Sequence, residues 1–156
     1  MPAEAQAAQA RHWFYLVPGA DDERRFHTAA KLAEKAWRQG HRICICCNDE
    51  AQAQRMDDVL WSFRPDAFIP HRILADNGMT CIEPVGIQWV DPSPADWQTV
   101  IVLGAWLPGS ADQFERLALI ANDDPTVLQQ ARKQYRQLEA LGITPKVHDT
   151  RKTQSR

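Results

Sequence analysis

The first 63 residues alternate twice between an apolar segment of strand length and a segment with helical periodicity, and this alternation restricts the fold more than any other feature. The two strand-like segments are residues 12–17 (HWFYLV) and 42–47 (RICICC). The second is apolar on both faces, as expected of a strand inside a parallel sheet. This strand–helix–strand–helix order predicts an α/β fold with a mostly parallel central sheet and a right-handed crossover.

The two helices of this opening have recognisable ends. The first is predicted to begin at Asp21 or Asp22 and to end at Gly40, and the second to begin at Asn48 or Asp49. Asp and Asn side chains accept hydrogen bonds from the amides of a first helical turn, and glycine suits the left-handed residue that ends a helix. The residues expected to face the core are Phe26, Ala29, Ala30, Ala33, Ala36 and Trp37 in the first helix, and Ala53, Met56, Val59, Leu60 and Phe63 in the second.

The rest of the chain continues the pattern less regularly. Strands are predicted at residues 85–90, 99–103 and 145–149, whereas residues 114–121 fit a strand or a helix by periodicity. Residues 64–84 are interrupted by prolines and are predicted to be irregular. The sequence shows no internal repeat and no sign of a second domain.

Length and composition are those of one globular domain, since 156 residues with 44% hydrophobic and 24% charged side chains can bury a sizeable core. We expect this domain at residues 12–150, between a flexible N-terminal tail (residues 1–11) and a basic C-terminal tail (residues 151–156). No apolar run approaches the roughly 20 residues of a membrane span, and the first residues do not resemble a secretory signal. A cytoplasmic protein without membrane contact is therefore predicted.

The net charge of −2 argues against duplex DNA as the primary ligand, although a local basic patch remains compatible with it. Three of the four cysteines, Cys44, Cys46 and Cys47, fall within one strand-like segment, and no C-x-x-C pair occurs. Such neighbours are poorly placed to bind a common metal ion. They are predicted to be small buried hydrophobic residues in a reducing compartment.

The loops after the first two strands argue against a nucleotide site. They read VPGADDERR and CNDE, and neither contains G-x-G-x-x-G or G-x-x-x-x-G-K-[ST]. Carboxylates stand at the helix N-termini that would otherwise attract phosphate. The prediction is a Rossmann-like fold without a nucleotide-binding loop.

Catalytic patterns are equally absent from the sequence. The serines lie outside any G-x-S-x-G context, and the five histidines show no H-x-x-x-H spacing. The acidic pairs Asp57-Asp58 and Asp123-Asp124 suit a solvated helix surface and a helix cap. We therefore predict a protein with no catalytic residues, no metal and no cofactor.

Residues 124–142 (DPTVLQQARKQYRQLEALG) predict one helix with both ends marked, because Asp124 can cap it, Pro125 suits its first position and Gly142 can end it. A tyrosine flanked by two arginines on this helix can bind a ligand that carries both a ring and a carboxylate. The simpler interpretation is a solvated helix face. The stripe predicted to face the core contains Val127, Ala131, Gln134, Leu138 and Leu141, and the neighbouring stripe contains Leu128, Arg132, Tyr135 and Glu139, with Arg136 at its edge.

Residues 57–71 (DDVLWSFRPDAFIPH) resemble the chi subunit of bacterial DNA polymerase III holoenzyme, chiefly through the pattern W-x-F-x-P-x-x-F-I-P-H. Three weaker matches follow the family's order and spacing over residues 13–148: FYLV in the first strand, Pro84-Val85, and A-R-x-x-Y-R in the helix at residues 124–142. The resemblance implies a non-catalytic component of the clamp-loader assembly, paired with the psi subunit. It also implies an α/β fold, and it favours a strand at residues 114–121.

The resemblance further implies a link to the single-stranded-DNA-binding protein, whose acidic C-terminal tail ends in Phe with a free carboxylate. Carried over by position, Arg132 would hold the terminal carboxylate, Tyr135 would form a wall of the ring pocket, and Arg136 would meet the upstream acidic residues. Leu128 stands where the family often has a basic residue, which implies a smaller electrostatic contribution to binding.

The resemblance also assigns Trp61, Phe68, Ile69 and Pro70 to the surface that receives psi. His71, which follows them, is predicted to be a hydrogen-bonded structural residue. Three alternatives remain open. Trp61 and Phe68 would instead fill the core beneath the loop, the patch would serve a DNA-repair helicase in place of psi, or the chain would be a degenerate nucleotide-binding enzyme. No sequence-specific DNA contact is expected.

Overall fold

The computed structural model describes residues 12–64, 66, 68–75 and 80–151. Residues 1–11 and 152–156 of the predicted tails, and Pro65 of the family-like pattern, lie outside these ranges. No helix within them is both long and apolar enough to cross a membrane. The helices are α1 (Glu23–Arg38), α2 (Glu50–Ser62), a short 3-10 helix (Ala111–Gln113) and α3 (Pro125–Ala140). The strands are β1 (His12–Leu16), β2 (Ile43–Cys46), β3 (His71–Leu74), β4 (Val85–Gln88), β5 (Thr99–Val102), β6 (Arg116–Ala121) and β7 (Lys146–Asp149).

The seven strands form one sheet in the order β3-β4-β2-β5-β6-β1-β7, and every neighbouring pair is parallel. The predicted α/β fold with a parallel sheet is confirmed. Strand β2 lies in the interior, with Ile43 opposite Val85 on one side and Thr99 on the other. Its four residues are fully buried, as the apolar run predicted.

Two segments that were ambiguous or irregular by sequence contain strands in the structure. The ambiguous segment 114–121 contains strand β6, which pairs with β5 and β1. The segment 64–84, predicted to be irregular, contains strand β3 at the edge of the sheet. This strand escaped prediction because it has only four residues, of which Leu74 alone is buried.

Helix ends follow the predicted chemistry with one difference. The Asp49 carboxylate accepts a hydrogen bond from the Gln52 amide and caps α2, and Gly40 adopts a left-handed φ of 84° after α1. At the start of α1, Asp21 accepts from the amide of Glu23. Asp22, the residue that precedes α1, makes no side-chain cap hydrogen bond because its carboxylate is bound to two arginines instead.

The helices divide between the two faces of the sheet. Helices α1 and α2 share one hydrophobic cluster, and α3 shares the other with Phe14 and Leu16 of β1. The residues predicted to face the core from α1 and α2 are buried except for Trp37, Val59 and Phe63, which are half-buried.

Helix α1 does not cover the whole of its face. It packs on β2, β5 and β6, whereas β1 and β7 continue the sheet beyond it. Trp13 of β1 lies opposite Lys146 of β7, and Tyr15 lies opposite His148, so these four side chains share a face. Lys146 and His148 are exposed there, and the two aromatic residues are half-buried.

Arg25 of α1 joins the helices to the sheet from a site only 4% exposed. Its Nε donates to the carbonyl oxygen of Ile120 at 3.1 Å, and its Nη2 donates to that of Leu103 at 2.6 Å. Its Nη1 lies 3.0 Å from Asp22, which also binds Arg55 of α2. One buried guanidinium therefore satisfies carbonyl groups after β5 and at the end of β6 while it holds the start of α1.

We predict that Arg25→Leu lowers the free energy of unfolding by about 3 kcal/mol, because two buried carbonyl oxygens lose their donors. Arg55→Leu is the matched control, since it removes the exposed partner of the same carboxylate and should cost less than about 1 kcal/mol. Urea denaturation of both variants measures the difference. Equal losses would show that the buried hydrogen bonds of Arg25 do not anchor α1.

Candidate protein-binding surfaces

Helix α3 is held in one rotational position by a buried glutamine. The Nε2 of Gln134 donates to the carbonyl oxygens of Gly104 at 3.0 Å and Trp106 at 2.9 Å, in the loop that follows β5. Ala131 and Leu138 are buried on either side of it along the helix. Because these contacts fix the inner face, they also determine which side chains point outward.

The predicted ends of α3 are confirmed. The Asp124 carboxylate accepts from the Thr126 amide at 2.9 Å, Pro125 takes the first helical position, and Gly142 has a φ of 86°. Leu141 was predicted to face the core, and this is wrong, because it is 47% exposed. The helix ends at Ala140, so the helical spacing that would have turned Leu141 inward stops before it.

The four residues assigned to tail binding form one outward surface of α3, which we call the α3 face: Leu128, Arg132, Tyr135 and Arg136. Leu128, Arg132 and Arg136 follow one another at intervals of four residues, and Tyr135 lies three residues after Arg132, so all four share one side of the helix. Arg132 and Arg136 are exposed, while Leu128 and Tyr135 are half-buried against the cluster beneath the helix. The Tyr135 ring lies 5.6 Å from that of Phe14, between ring centroids, so it is supported by the sheet.

The charges of the α3 face are available to a ligand. Among the described residues, no carboxylate forms an ion pair with Arg132 or Arg136. A guanidinium can bind a carboxylate through two parallel hydrogen bonds, and the neighbouring aromatic ring offers an apolar contact. The combination suits a ligand that carries an acid group beside a ring.

A second surface lies where α2 meets the chain that enters β3, and we call it the Trp61 patch. Trp61 is 56% exposed and Phe68 is 62% exposed, with 5.6 Å between their ring centroids. The alternative that both rings fill the core is wrong, because more than half of each side chain is open to solvent. Ile69 was also assigned to this surface, but it is only 1% exposed and packs in the core cluster of α1 and α2, so it is not available to a partner; Pro70 is half-buried.

His71 holds the Trp61 patch in place. Its Nδ1 lies 2.6 Å from the carbonyl oxygen of Ile69, and its Nε2 lies 3.1 Å from an Asp57 carboxylate oxygen. Its ring also meets Trp61 edge-on at 4.7 Å. These contacts agree with the predicted structural role and fix the orientation of the exposed tryptophan.

A depression of about 520 Å³ adjoins the Trp61 patch. It is lined by Phe68 together with Trp37, Arg38, Asp66 and Glu34. The Glu34 carboxylate is paired with Arg64 and lies 3.6 Å from Arg38. The apolar patch is therefore bordered by charged side chains, an arrangement typical of a protein-binding surface.

The loop after β1, where an α/β protein would hold a nucleotide, is closed by the chain's own carboxylates. Asp123 accepts a hydrogen bond from the Gly19 amide at 3.0 Å. Burial raises the pKa of Asp22, but hydrogen bonds and charge from Arg55 and Arg25 outweigh it and hold that pKa below its ordinary value. An ionised carboxylate at this helix start repels the phosphate that such a loop would bind.

Three of the cysteines lie in the core, where they behave as small hydrophobic residues. Cys44, Cys46 and Cys47 are fully buried, and Cys81 is partly exposed. Burial raises the pKa of the Cys44 and Cys47 thiols far above neutral pH, so both stay protonated.

A comparison with known proteins agrees with the family suggested by residues 57–71. The family model described as DNA polymerase III chi subunit, HolC, matches residues 10–146. This chain belongs to the DNA polymerase III chi subunit family.

Among its curated relatives, the DNA polymerase III subunit chi of Pseudomonas aeruginosa is 38% identical over 123 residues, which cover 79% of this chain and 84% of the relative. The subunits chi of Haemophilus influenzae and Escherichia coli are 30% and 29% identical and cover 73% and 72% of this chain, and 79% and 77% of their own lengths. A chi-family chain has an accessory role in DNA replication.

Sequence reasoning placed Gln134 on the core stripe but missed what it does. A helical pattern identifies an inward position, but it does not show that the side chain meets two carbonyl oxygens of a loop some 30 residues earlier. A glutamine on an otherwise apolar stripe was the available signal, because buried amides require hydrogen-bond partners.

We predict that Gln134→Leu lowers the free energy of unfolding by about 2 kcal/mol, because two carbonyl oxygens lose their donor. Arg132→Ala, two residues away on the exposed surface, should change it by less than about 0.5 kcal/mol. Chemical denaturation distinguishes the two. A large loss for Arg132→Ala would mean that this arginine is part of the fold and is not available to a ligand.

Proposed function

We propose that this chi-family chain is a non-catalytic adaptor in the cytoplasm that links the clamp-loader complex, through psi, to the single-stranded-DNA-binding protein. The observation that carries the proposal is the α3 face, where two arginines without a described carboxylate partner flank a tyrosine supported by the sheet. That surface suits the acidic, Phe-terminated tail that the family resemblance implies as ligand.

In this proposal, each side chain of the α3 face contacts a different part of the tail. Arg132 binds the terminal carboxylate, Tyr135 contacts the Phe ring, and Arg136 attracts the upstream acidic residues. Leu128 contributes apolar contact where a basic residue would add charge, so less of the affinity depends on salt concentration. Because Gln134 fixes the helix, the three groups are positioned before the ligand arrives, which reduces the entropic cost of binding.

The chemistry of the described carboxylates and thiols supports a role without catalysis. The carboxylates nearest the loop after β1 are engaged in capping and ion pairs, and the buried thiols of Cys44 and Cys47 remain protonated and are therefore poor nucleophiles. The chain would contribute recognition to the polymerase complex while other subunits perform nucleotidyl transfer.

The Trp61 patch is the proposed attachment point for psi. Two exposed aromatic rings with a rigid backing and a charged border can receive the apolar face of a partner helix. The patch lies by the β3 edge of the sheet, whereas α3 packs on β6 near the other edge, so both partners can bind at once.

We predict that Arg132→Ala weakens binding to a peptide with acidic residues and a C-terminal Phe by at least about 30-fold, since a charge-assisted bidentate contact is lost. Fluorescence anisotropy of a labelled peptide measures this. Lys133→Ala, an exposed neighbour outside the α3 face, is the charge-matched control and should bind normally. Amidation of the peptide's C-terminus should reproduce the Arg132→Ala loss in the unaltered protein. Undiminished affinity in Arg132→Ala would contradict the assignment of this helix.

We predict that Trp61→Ala combined with Phe68→Ala removes psi from the tagged chain on purification from its native host, because the two rings supply the centre of the patch. The same variant should retain its affinity for the acidic peptide. Trp37→Phe, a conservative change beside the patch, is the control. Continued recovery of psi with the double variant would overturn this attachment point, and loss of a helicase alone would favour the helicase as its partner.

A further inference from the structure

The part of the sheet that α1 leaves uncovered forms a groove that neither proposed partner uses. Two adjoining depressions of about 770 and 560 Å³ share Tyr15, Leu32 and His148 as lining residues, so they form one continuous channel. Its floor includes β1 and β7 and extends to β5 and β6, and the outer side of α1 makes one wall. We call it the β1/β7 groove.

The floor of the β1/β7 groove is aromatic. Trp13 and Tyr15 stack with 6.0 Å between their ring centroids and 28° between their planes. His148 meets Tyr15 edge-on at 5.6 Å. A row of rings on a half-open sheet face is a surface on which unpaired bases can stack.

Cations border this floor on both sides. Arg24, Lys31 and Lys35 lie on the α1 wall at intervals of seven and four residues, which places them along one side of the helix over about 16 Å. Lys146 lies 5.4 Å above the Trp13 ring, and Arg116 lines the same channel. The only acidic lining residue among those described is Glu115.

The three α1 cations keep their charge available to a ligand. In the described ranges no carboxylate forms an ion pair with Arg24, Lys31 or Lys35. The whole chain carries a net charge of −2, so this concentration of positive charge is local. A positive groove with an aromatic floor attracts a polyanion that also offers flat rings.

We propose that the β1/β7 groove binds single-stranded nucleic acid without sequence preference. The cations of α1, with Arg116 and Lys146, contact the phosphates, and Trp13, Tyr15 and His148 stack with the bases. An acidic peptide with one terminal Phe would satisfy the cations but would offer a single ring to a floor of three, whereas a single strand offers a ring at every nucleotide, so the floor favours nucleic acid. Such a contact is independent of the α3 face, since Trp13 and Tyr15 point away from the face on which Phe14 supports α3.

The test is anisotropy of a labelled oligo-dT of about 15 nucleotides with the full chain, over a series of salt concentrations. Lys31→Gln combined with Lys35→Gln should lower affinity at low salt at least about tenfold. It should also reduce the slope of log affinity against log salt by about 1.4, the contribution of two phosphate contacts on a single strand. Lys133→Gln with Arg72→Gln is the charge-matched control, because both residues are exposed and lie outside the groove; it should bind like the unaltered protein.

Trp13→Ala tests the stacking separately and should weaken binding about tenfold with no change in the salt slope. Loss of affinity in both the groove pair and the control pair would show that net charge alone is responsible, and this would overturn the proposal. So would an unaltered protein that fails to bind oligo-dT, an unchanged affinity in Trp13→Ala, or an oligo-glutamate of equal charge that displaces the oligonucleotide as well as unlabelled oligo-dT does.

Discussion

A parallel sheet requires cover on both faces, and the described part of the chain has three α-helices to cover seven strands. Helices α1 and α2 cover one face and α3 covers part of the other. Loop residues complete the second face, where the ring of Trp97 lies so close to Gly86 that a Cβ atom there would stand 2.5 Å from the indole. On the face covered by α1 and α2, no described helix lies over β1 and β7. This edge of the sheet is therefore open and aromatic, while the centre of the sheet is fully buried.

The same constraint separates the three surfaces of the molecule. The α3 face lies over the side of β1 that carries Phe14, and the β1/β7 groove lies over the side that carries Trp13 and Tyr15. The Trp61 patch lies by the opposite edge, because α2 packs on β3 and β4. The three surfaces therefore do not overlap, as the proposed binding of separate partners requires.

Local sequence was sufficient to predict those helices and strands whose ends and buried faces depend on neighbouring residues. The caps at Asp49 and Asp124, the buried run of β2 and the alanine-rich face of α1 all depend on residues within a few positions of one another. Strand β3 was missed because an edge strand of four residues buries little and leaves a weak pattern. Leu141 was misplaced because a helical repeat gives the direction of a side chain but not the residue at which the helix ends.

The three candidate surfaces could not be predicted from sequence periodicity alone. A resemblance to the chi family named Arg132 and Tyr135, but their outward direction follows from the long-range hydrogen bonds of Gln134. The exposure of Trp61 depends on the contacts of His71 with Asp57 and Ile69, which no pattern within α2 indicates. The β1/β7 groove depends on strand order, because Lys146 and Trp13 meet only when the last strand docks beside the first.

The most direct test of the adaptor role is an NMR titration of the isotope-labelled chain with the acidic, Phe-terminated tail peptide. The account predicts that backbone shift changes concentrate on α3 around Arg132, Tyr135 and Arg136, with Phe14 beneath them also affected. Trp61 and the residues of the β1/β7 groove should remain unshifted. Changes centred on Trp61 or on Tyr15 and His148, with α3 unaffected, would contradict the assignment of the α3 face as the site that binds the tail.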